Sequence, residues 1–307
     1  MRNAFVNTLL ELAKQDEKII LMTGDLGFSV LDQFAATCPN RFINAGIAEQ
    51  NMATVAAGIA LEGKTVFIYS IGNFSTLRCI EQIRNDIAYH NANVKVVSIG
   101  GGFAYGSLGM SHHSTEDIAI MRALPDIKVF TPCDLKETIE VTKLVAKTDG
   151  PCYIRLGKGG EKNLHVGNIK VSAGKAISMR LGKDVAIFAC GSIAEEALEA
   201  AEILQQSGIS CAVYSFPTVK PIDEQLISDV SKTARCIFTL EEHNPHGGFG
   251  SAVCEVVSGM KTHAPIVKFS IGDRYLCKVG SQKYLRQLCG LDAPSIAKSI
   301  RETLGAD

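Results

Sequence analysis

The chain has 307 residues, of which 46% are hydrophobic and 21% charged, and its formal net charge is −1. Two domains of roughly 100–200 residues each suit that length, the balanced charge argues against a nucleic-acid or membrane surface, and there is no apolar run of the roughly 18 residues that a membrane span needs. The opening stretch MRNAFVNTLLELAKQDEK is amphipathic and lacks the apolar centre of a signal peptide, so a cytoplasmic location is expected.

In chain order, residues 3–15 carry apolar positions at helical spacing (Phe5, Leu9, Leu10, Leu12), and KIILMTG then reads as a short strand ending at a glycine. Residues 48–62 read as a helix of small residues, TVFIYS as a strand, and residues 76–89 as a helix. NVKVVSIG, IKVFTP and PCYIR read as strands, with the helix LKETIEVTKLVAK between the last two. Short apolar strands alternating with helices argue for an α/β architecture with a mostly parallel sheet covered on both faces. This first domain is expected over residues 1–160, and the stretch 161–183, rich in Gly and Lys, suits a linker. The alternation resumes with the strand DVAIFACG, the amphipathic helix SIAEEALEAAEILQQSG and the strand SCAVYSF. CIFTLEEH, a helix at 249–258 and APIVKFS follow, giving a second α/β domain over residues 184–307.

Ten cysteines are scattered through the chain, none at CxxC spacing and most inside apolar segments. Reduced core thiols are therefore expected, and a disulfide framework is not.

Three segments carry chemistry. In RFINAGIAEQNMATVAAGIALEG an extended stretch ends at Gly46, and Glu49 opens a helix of almost all small and apolar residues. By itself Glu49 reads first as a partner for the helix dipole, with a functional carboxyl as the alternative. GGFAYGSLGMSHHSTEDIAIM begins as a glycine-rich loop and presents His112 and His113, which lack the companion Cys or Asp/Glu spacing of a metal site. The plain alternative is one solvent histidine and one that caps a helix beginning near Ser114. IYSIGNFSTLRCIEQIRNDIAY sets Phe74 just after a strand end, where α/β sites open, although a lone Phe is commonly core.

The order of these pieces is more specific than any one of them. GIAEQ, then FSTLRCIEQIR, then GSLGMSHH, then LPDIKVFTPCD resembles the cofactor-pyrimidine domain of transketolases, and is similar to 1-deoxyxylulose-5-phosphate synthases and 2-oxo acid dehydrogenase β-subunits. PTVKPID and EEHNPHGGFGSAV resemble the C-terminal domain of the same thiamine-diphosphate-dependent superfamily, so the resemblance covers about residues 2–305. The GDG motif that holds the magnesium (or calcium) of the diphosphate in that family is missing from this sequence. The resemblance is therefore to the C-terminal subunit of a split transketolase. It implies an N-terminal partner subunit that carries GDG and the metal, with no metal on this chain. It also implies a homodimer of this chain within an α2β2 tetramer, and sugar phosphates as substrates.

The resemblance further implies roles. Glu49 matches the glutamate that hydrogen-bonds the aminopyrimidine of thiamine diphosphate and activates it. The family's stacking aromatic falls on Ser75 without a gap, so Phe74, with Tyr69 in reserve, is expected to take the ring. His112 matches the histidine near the reacting carbon, His113 lines the same loop, and Asp25 matches an acid near the thiazolium. Arg2 and Ser29 match sugar-phosphate contacts. Arg78, Arg155 and Lys158 are further candidate cations for substrate phosphate, with ordinary surface charge as the alternative. Leu108 and Gly100 stand where the family commonly has an acidic residue and a histidine against sugar hydroxyls, so a less hydroxylated or differently oriented sugar is expected. Two other functions fit less well: the β-subunit of a 2-oxo acid decarboxylase component, and a non-catalytic partner that only stabilises another chain.

Overall fold

The computed structural model describes residues 1–305. Its strands are β1 (Ile19–Thr23), β2 (Phe42–Asn44), β3 (Thr65–Ile71), β4 (Val94–Ile99), β5 (Lys128–Phe130), β6 (Cys152–Leu156), β7 (Ile177–Arg180), β8 (Val185–Cys190), β9 (Cys211–Ser215), β10 (Thr218–Lys220), β11 (Cys236–Glu241) and β12 (Ile266–Phe269). Seven of them form one sheet in the order β10-β5-β6-β4-β3-β1-β2, and the other five form a second in the order β12-β11-β8-β9-β7. Every pairing is parallel except β10 on β5 and β7 on β9. The α/β architecture, two mostly parallel sheets flanked by helices, is the one the sequence implies.

The apolar runs explain the layering. Along β3, Val66 and Ile68 enter one core, with Met52, Ala53, Ala56 and Ala57 of the helix Glu49–Leu61. Phe67 and Tyr69 enter the other, with Phe5 and Leu9 of the helix Arg2–Gln15 and Val141 of the helix Leu135–Ala146. Successive residues of a strand point to opposite faces, so a continuous apolar strand serves both layers. The first core continues without a break into Phe188, Phe216 and Phe249 of the C-terminal half. Phe188 and Phe216 pack ring to ring at 5.0 Å, as do Phe216 and Phe249. The edge strand β10 binds the halves further, because it leaves the C-terminal half to pair with β5.

Several elements differ from the sequence reading. Residues 76–89 are not one α-helix. They run through a 3₁₀ turn Leu77–Cys79, a single α turn Ile80–Gln82 and a π-helical turn Ile83–Ala88. The preceding short helix Gly72–Ser75 ends because the Ser75 and Thr76 hydroxyls donate back to the Ile71 and Gly72 carbonyls, a local bond that competes with helix propagation. Strand β7 lies inside the stretch expected as linker. β2, β7 and β10 have three or four residues each, too few for an alternation to be read. The helix expected near Ser114 begins at Asp117.

The ten cysteines are free, and seven of them are buried, as expected of core thiols. Among the described residues no helix is long and apolar enough to cross a membrane.

Candidate active site

Parallel strands direct their C-terminal ends to one edge, where β1, β3 and β4 release the loops that carry the candidate residues. Glu49 is the first residue of its helix and is 1% exposed. Its carboxylate turns into the sheet rather than capping the helix. Oε2 accepts from Arg78 Nη1 at 2.7 Å, and Oε1 accepts from the Ser70 hydroxyl of β3 at 3.4 Å. Gly24, just past β1, lets the backbone approach. A Cβ there would stand 3.2 Å from Glu49 Cγ.

Phe74 stands beside it. The Arg78 guanidinium lies over its ring, 4.3 Å from the centroid. His112 meets Phe74 edge-on at 5.3 Å, and Tyr105 meets His112 edge-on at 6.2 Å. Lys158 lies over Tyr105 at 5.4 Å. One string of groups thus runs Glu49, Arg78, Phe74, His112, Tyr105, Lys158. Ser75 is fully buried, with its hydroxyl spent on backbone carbonyls. The one-residue shift from Ser75 to Phe74 is therefore physically reasonable, because Phe74 is the neighbour that reaches the surface.

The histidines differ. Partial burial pulls the pKa of His112 down, and its Nδ1 lies 3.0 Å from the Ser111 hydroxyl. His113 is buried edge-on to Phe103 at 5.1 Å, its pKa is also lowered by burial, and its Nε2 has no partner. It caps no helix. It lines a cavity of about 210 Å³ together with Asn73, Leu77, Met110, Glu116 and Arg274.

Asp25 and Ser29 sit in the loop after β1, both with left-handed backbone (φ 56° and 64°). Asp25 is fixed by a reciprocal pair with Asn44: its N–H donates to Asn44 Oδ1 at 3.0 Å, and Asn44 Nδ2 donates to Asp25 Oδ1 at 2.9 Å. Ser29 N–H donates to Asp32. Arg2 stands beside the Tyr69 and Tyr105 phenols, and its Nε is buried without a partner.

Two candidates are corrected. Tyr69 is a core residue, 1% exposed, stacked on Phe5 at 6.3 Å, so its ring is closed to a cofactor. Burial pushes its phenol pKa well above the usual value. Arg155 is not a free cation at the strand ends. Its Nε donates to Asp117 Oδ2 at 2.8 Å, and its Nη2 donates to the carbonyls of Ser114 and Glu242 at 2.8 and 2.9 Å. Burial works against its charge, but the Asp117 carboxylate outweighs burial and raises its pKa. Arg155 therefore ties the histidine loop to the C-terminal half.

The EEHNPHGGFGSAV segment is structural as well. Glu241 accepts the N–H groups of Phe249 and Gly250 at 2.6 and 2.7 Å, anchoring the helix Phe249–Val257. Glu242 accepts from Phe103 N–H and from Arg286. One cluster outside the site brings donor atoms of Cys133, Glu137 and His165 within 4.8 Å of one another. Its groups are mutually engaged: Glu137 Oε1 meets His165 Nε2 at 2.7 Å, and Oε2 accepts Cys133 N–H at 2.8 Å.

Tyr105 and Gly100 are linked in a way the sequence does not show. Gly100 has φ 92°, and a Cβ there would collide with the Tyr105 ring. The space that a side chain at position 100 would need is taken by the Tyr105 ring. Sequence proximity alone could not pair residues 100 and 105 in this way.

Residues 1–160 match the family described as transketolase, pyrimidine binding domain, and residues 174–296 match the transketolase C-terminal domain. The putative transketolase C-terminal section of Methanocaldococcus jannaschii is 38% identical over 307 residues, covering 99% of this chain and 96% of that protein. A subunit of the apulose-4-phosphate transketolase of Phocaeicola vulgatus is 35% identical over 303 residues, covering 98% of this chain and 96% of that one. A solved split-gene transketolase, an inactive beta4 tetramer, aligns with a TM-score of 0.89 at 36% identity over 99% of this chain and 98% of that one. The chain belongs to the transketolase family, with a pyrimidine-binding domain followed by a transketolase C-terminal domain.

Proposed function

We propose that this chain is the glutamate-bearing subunit of a split transketolase, which transfers a two-carbon ketol unit between sugar phosphates using thiamine diphosphate. The observation that carries the reading is Glu49: a buried carboxyl at the strand ends, beside the half-buried ring of Phe74, with His112 against that ring. That donor set fits an aminopyrimidine, which needs a carboxyl for its ring nitrogen and an aromatic face for its ring. The bound cofactor supplies a carbon nucleophile at its thiazolium.

In this reading Glu49 holds a proton at the pyrimidine nitrogen, and Phe74 orients the ring. His112, whose pKa burial lowers, can donate an N–H to a developing oxyanion, which is where such a donor does most. His113, the next residue of that loop, borders the cavity lined by Asn73, Leu77 and Met110. Arg2 and Lys158, both near Tyr105, suit a substrate phosphate with Ser29, and Asp25, paired with Asn44, suits the thiazolium side. The cofactor's diphosphate and its magnesium or calcium would be held by an N-terminal subunit carrying GDG, in an α2β2 assembly with this chain dimerised. The relatives named as a C-terminal section and as one subunit of a transketolase, and the split-gene structure, support that division of labour. Gly100 at the position matched to a histidine, its side-chain space filled by Tyr105, and Leu108 at the position matched to an acid favour a sugar other than the pentose phosphate pair. Robust turnover of xylulose 5-phosphate with ribose 5-phosphate would count against this preference.

The test is Glu49→Gln in the assembled enzyme. A loss of about 100-fold or more in turnover is expected, the ordinary scale for removing a positioned proton-transfer group. Near wild-type turnover would remove Glu49 from the mechanism.

A further inference from the structure

Arg78 fills two places at once. Its Nη1 donates to Glu49 Oε2 at 2.7 Å while its guanidinium lies on the Phe74 ring, 4.3 Å from the centroid. A guanidinium is planar, presents N–H donors along its edge and stacks on aromatic faces. An aminopyrimidine set between Glu49 and Phe74 is likewise planar and would stack on the same ring and meet the same carboxyl, which would then carry the proton. Both cannot occupy that space.

We propose that Arg78 is a placeholder for the cofactor's aminopyrimidine ring, held by Glu49 and Phe74 in the free chain and displaced when the ring binds. The inference rests on the assignment of Glu49 and Phe74 in the proposed function. It explains how a carboxylate that is 1% exposed is satisfied without cofactor. An unpaired buried carboxylate is strongly disfavoured, and the Ser70 hydroxyl at 3.4 Å is too long to satisfy it alone. Arg78 is suited to leave. Its side chain is 43% exposed, so it can reach solvent by rotating its own stem. It is anchored by one ion pair and one stacking contact, against the three buried bonds that lock Arg155. Arg78 is therefore a positioning residue, and its presence reduces the apparent affinity for cofactor in proportion to the fraction of chains it leaves open.

The experiment is calorimetric titration of thiamine diphosphate into this chain assembled with its N-terminal subunit, comparing wild type, Arg78→Ala, Glu49→Gln and the double variant. Arg78→Ala is expected to tighten binding about tenfold, as follows from removing a competing state populated about ten to one. In the Glu49→Gln background, where the ion pair is already gone, Arg78→Ala should tighten binding far less. Arg78→Gln keeps a neutral, displaceable donor and should bind between wild type and Arg78→Ala, which guards against an alanine variant that misfolds. Unchanged or weaker binding in both Arg78 variants overturns the placeholder. If the double variant binds cofactor as tightly as Arg78→Ala alone, the functional assignment of Glu49 fails instead, so the two failures are distinct.

Discussion

Replacing Arg155 separates a structural cation from a substrate cation. Arg155→Met removes the partner of Asp117, whose Oδ1 is already without a hydrogen bond and whose Oδ2 would keep only the Tyr153 hydroxyl at 2.5 Å. Breaking a buried ion pair from one side costs about 3–5 kcal/mol. The Glu242 carbonyl loses its donor as well, while the Ser114 carbonyl keeps the Gly102 N–H at 2.8 Å, and a buried acceptor left unsatisfied costs about 1–3 kcal/mol. Allowing for relaxation, a total near 4–8 kcal/mol follows from these same scales. At about 2–4 °C per kcal/mol for a chain of this size, Tm should fall by at least about 8 °C. Differential scanning calorimetry and urea unfolding read this directly. Lys158→Met is the contrast: Lys158 is exposed and touches Tyr105 only through its ring face, so its loss should leave Tm in place and raise KM for a phosphorylated sugar. An Arg155→Met protein with wild-type Tm and only a raised KM would refute the structural reading and restore Arg155 to the substrate.

His165→Asn tests the pH dependence of the cluster near the Cys133 loop. Burial lowers the pKa of His165, but its hydrogen bond to Glu137 and the Glu137 charge outweigh burial, so the pKa is raised. A histidine with a raised folded pKa stabilises fully below its unfolded value near 6.5, and that stability is lost as pH rises through the folded value. Unfolding midpoints of the wild type should therefore decline from about pH 6 upward relative to the variant, and parallel curves for the two would refute the pair. Gly100→Ala introduces a side chain into a left-handed position already filled by the Tyr105 ring. Displaced Tyr105 should disturb His112, so kcat/KM in the assembled enzyme should fall more than about tenfold, the scale of a misplaced site group. Full activity would show that Tyr105 can move without consequence.

The fold was legible where periodicity runs long. β3 and β4, with seven and six residues, and the helices Arg2–Gln15 and Leu135–Ala146 follow from apolar spacing alone. The breaks came where side chains compete with the backbone, as Ser75 and Thr76 do, or where a strand is too short to alternate, as β10 is. Of the site, the order of motifs made Glu49, Phe74 and His112 visible. It could not separate Arg78 from Arg155, two arginines near strand ends, because that difference lies in partners distant in sequence: Glu49 for one, and Asp117, Ser114 and Glu242 for the other. Tyr69 failed for a related reason. The inward face of β3 sends its ring onto Phe5, and a strand's face is set by the helix that covers it.

The same loops that carry chemistry also carry uncovered apolar side chains. Phe28 follows Asp25, Ile47 precedes Glu49, Leu77 precedes Arg78, and Leu108 and Met110 precede His112, and all five are exposed large hydrophobics. Scattered exposure needs no cause, but apolar residues gathered on the loops of one polar site mark a surface that another surface covers. In the split-enzyme reading the consequence is mechanical. Whatever surface buries Leu77 also presses on the turn that holds Arg78, and whatever buries Met110 presses on the turn that holds His112. Docking of the second subunit would then bear on how readily the ring displaces Arg78, because neighbours along the chain serve both. A carboxylate kept paired by its own arginine until the ring arrives has a partner both before and after the exchange.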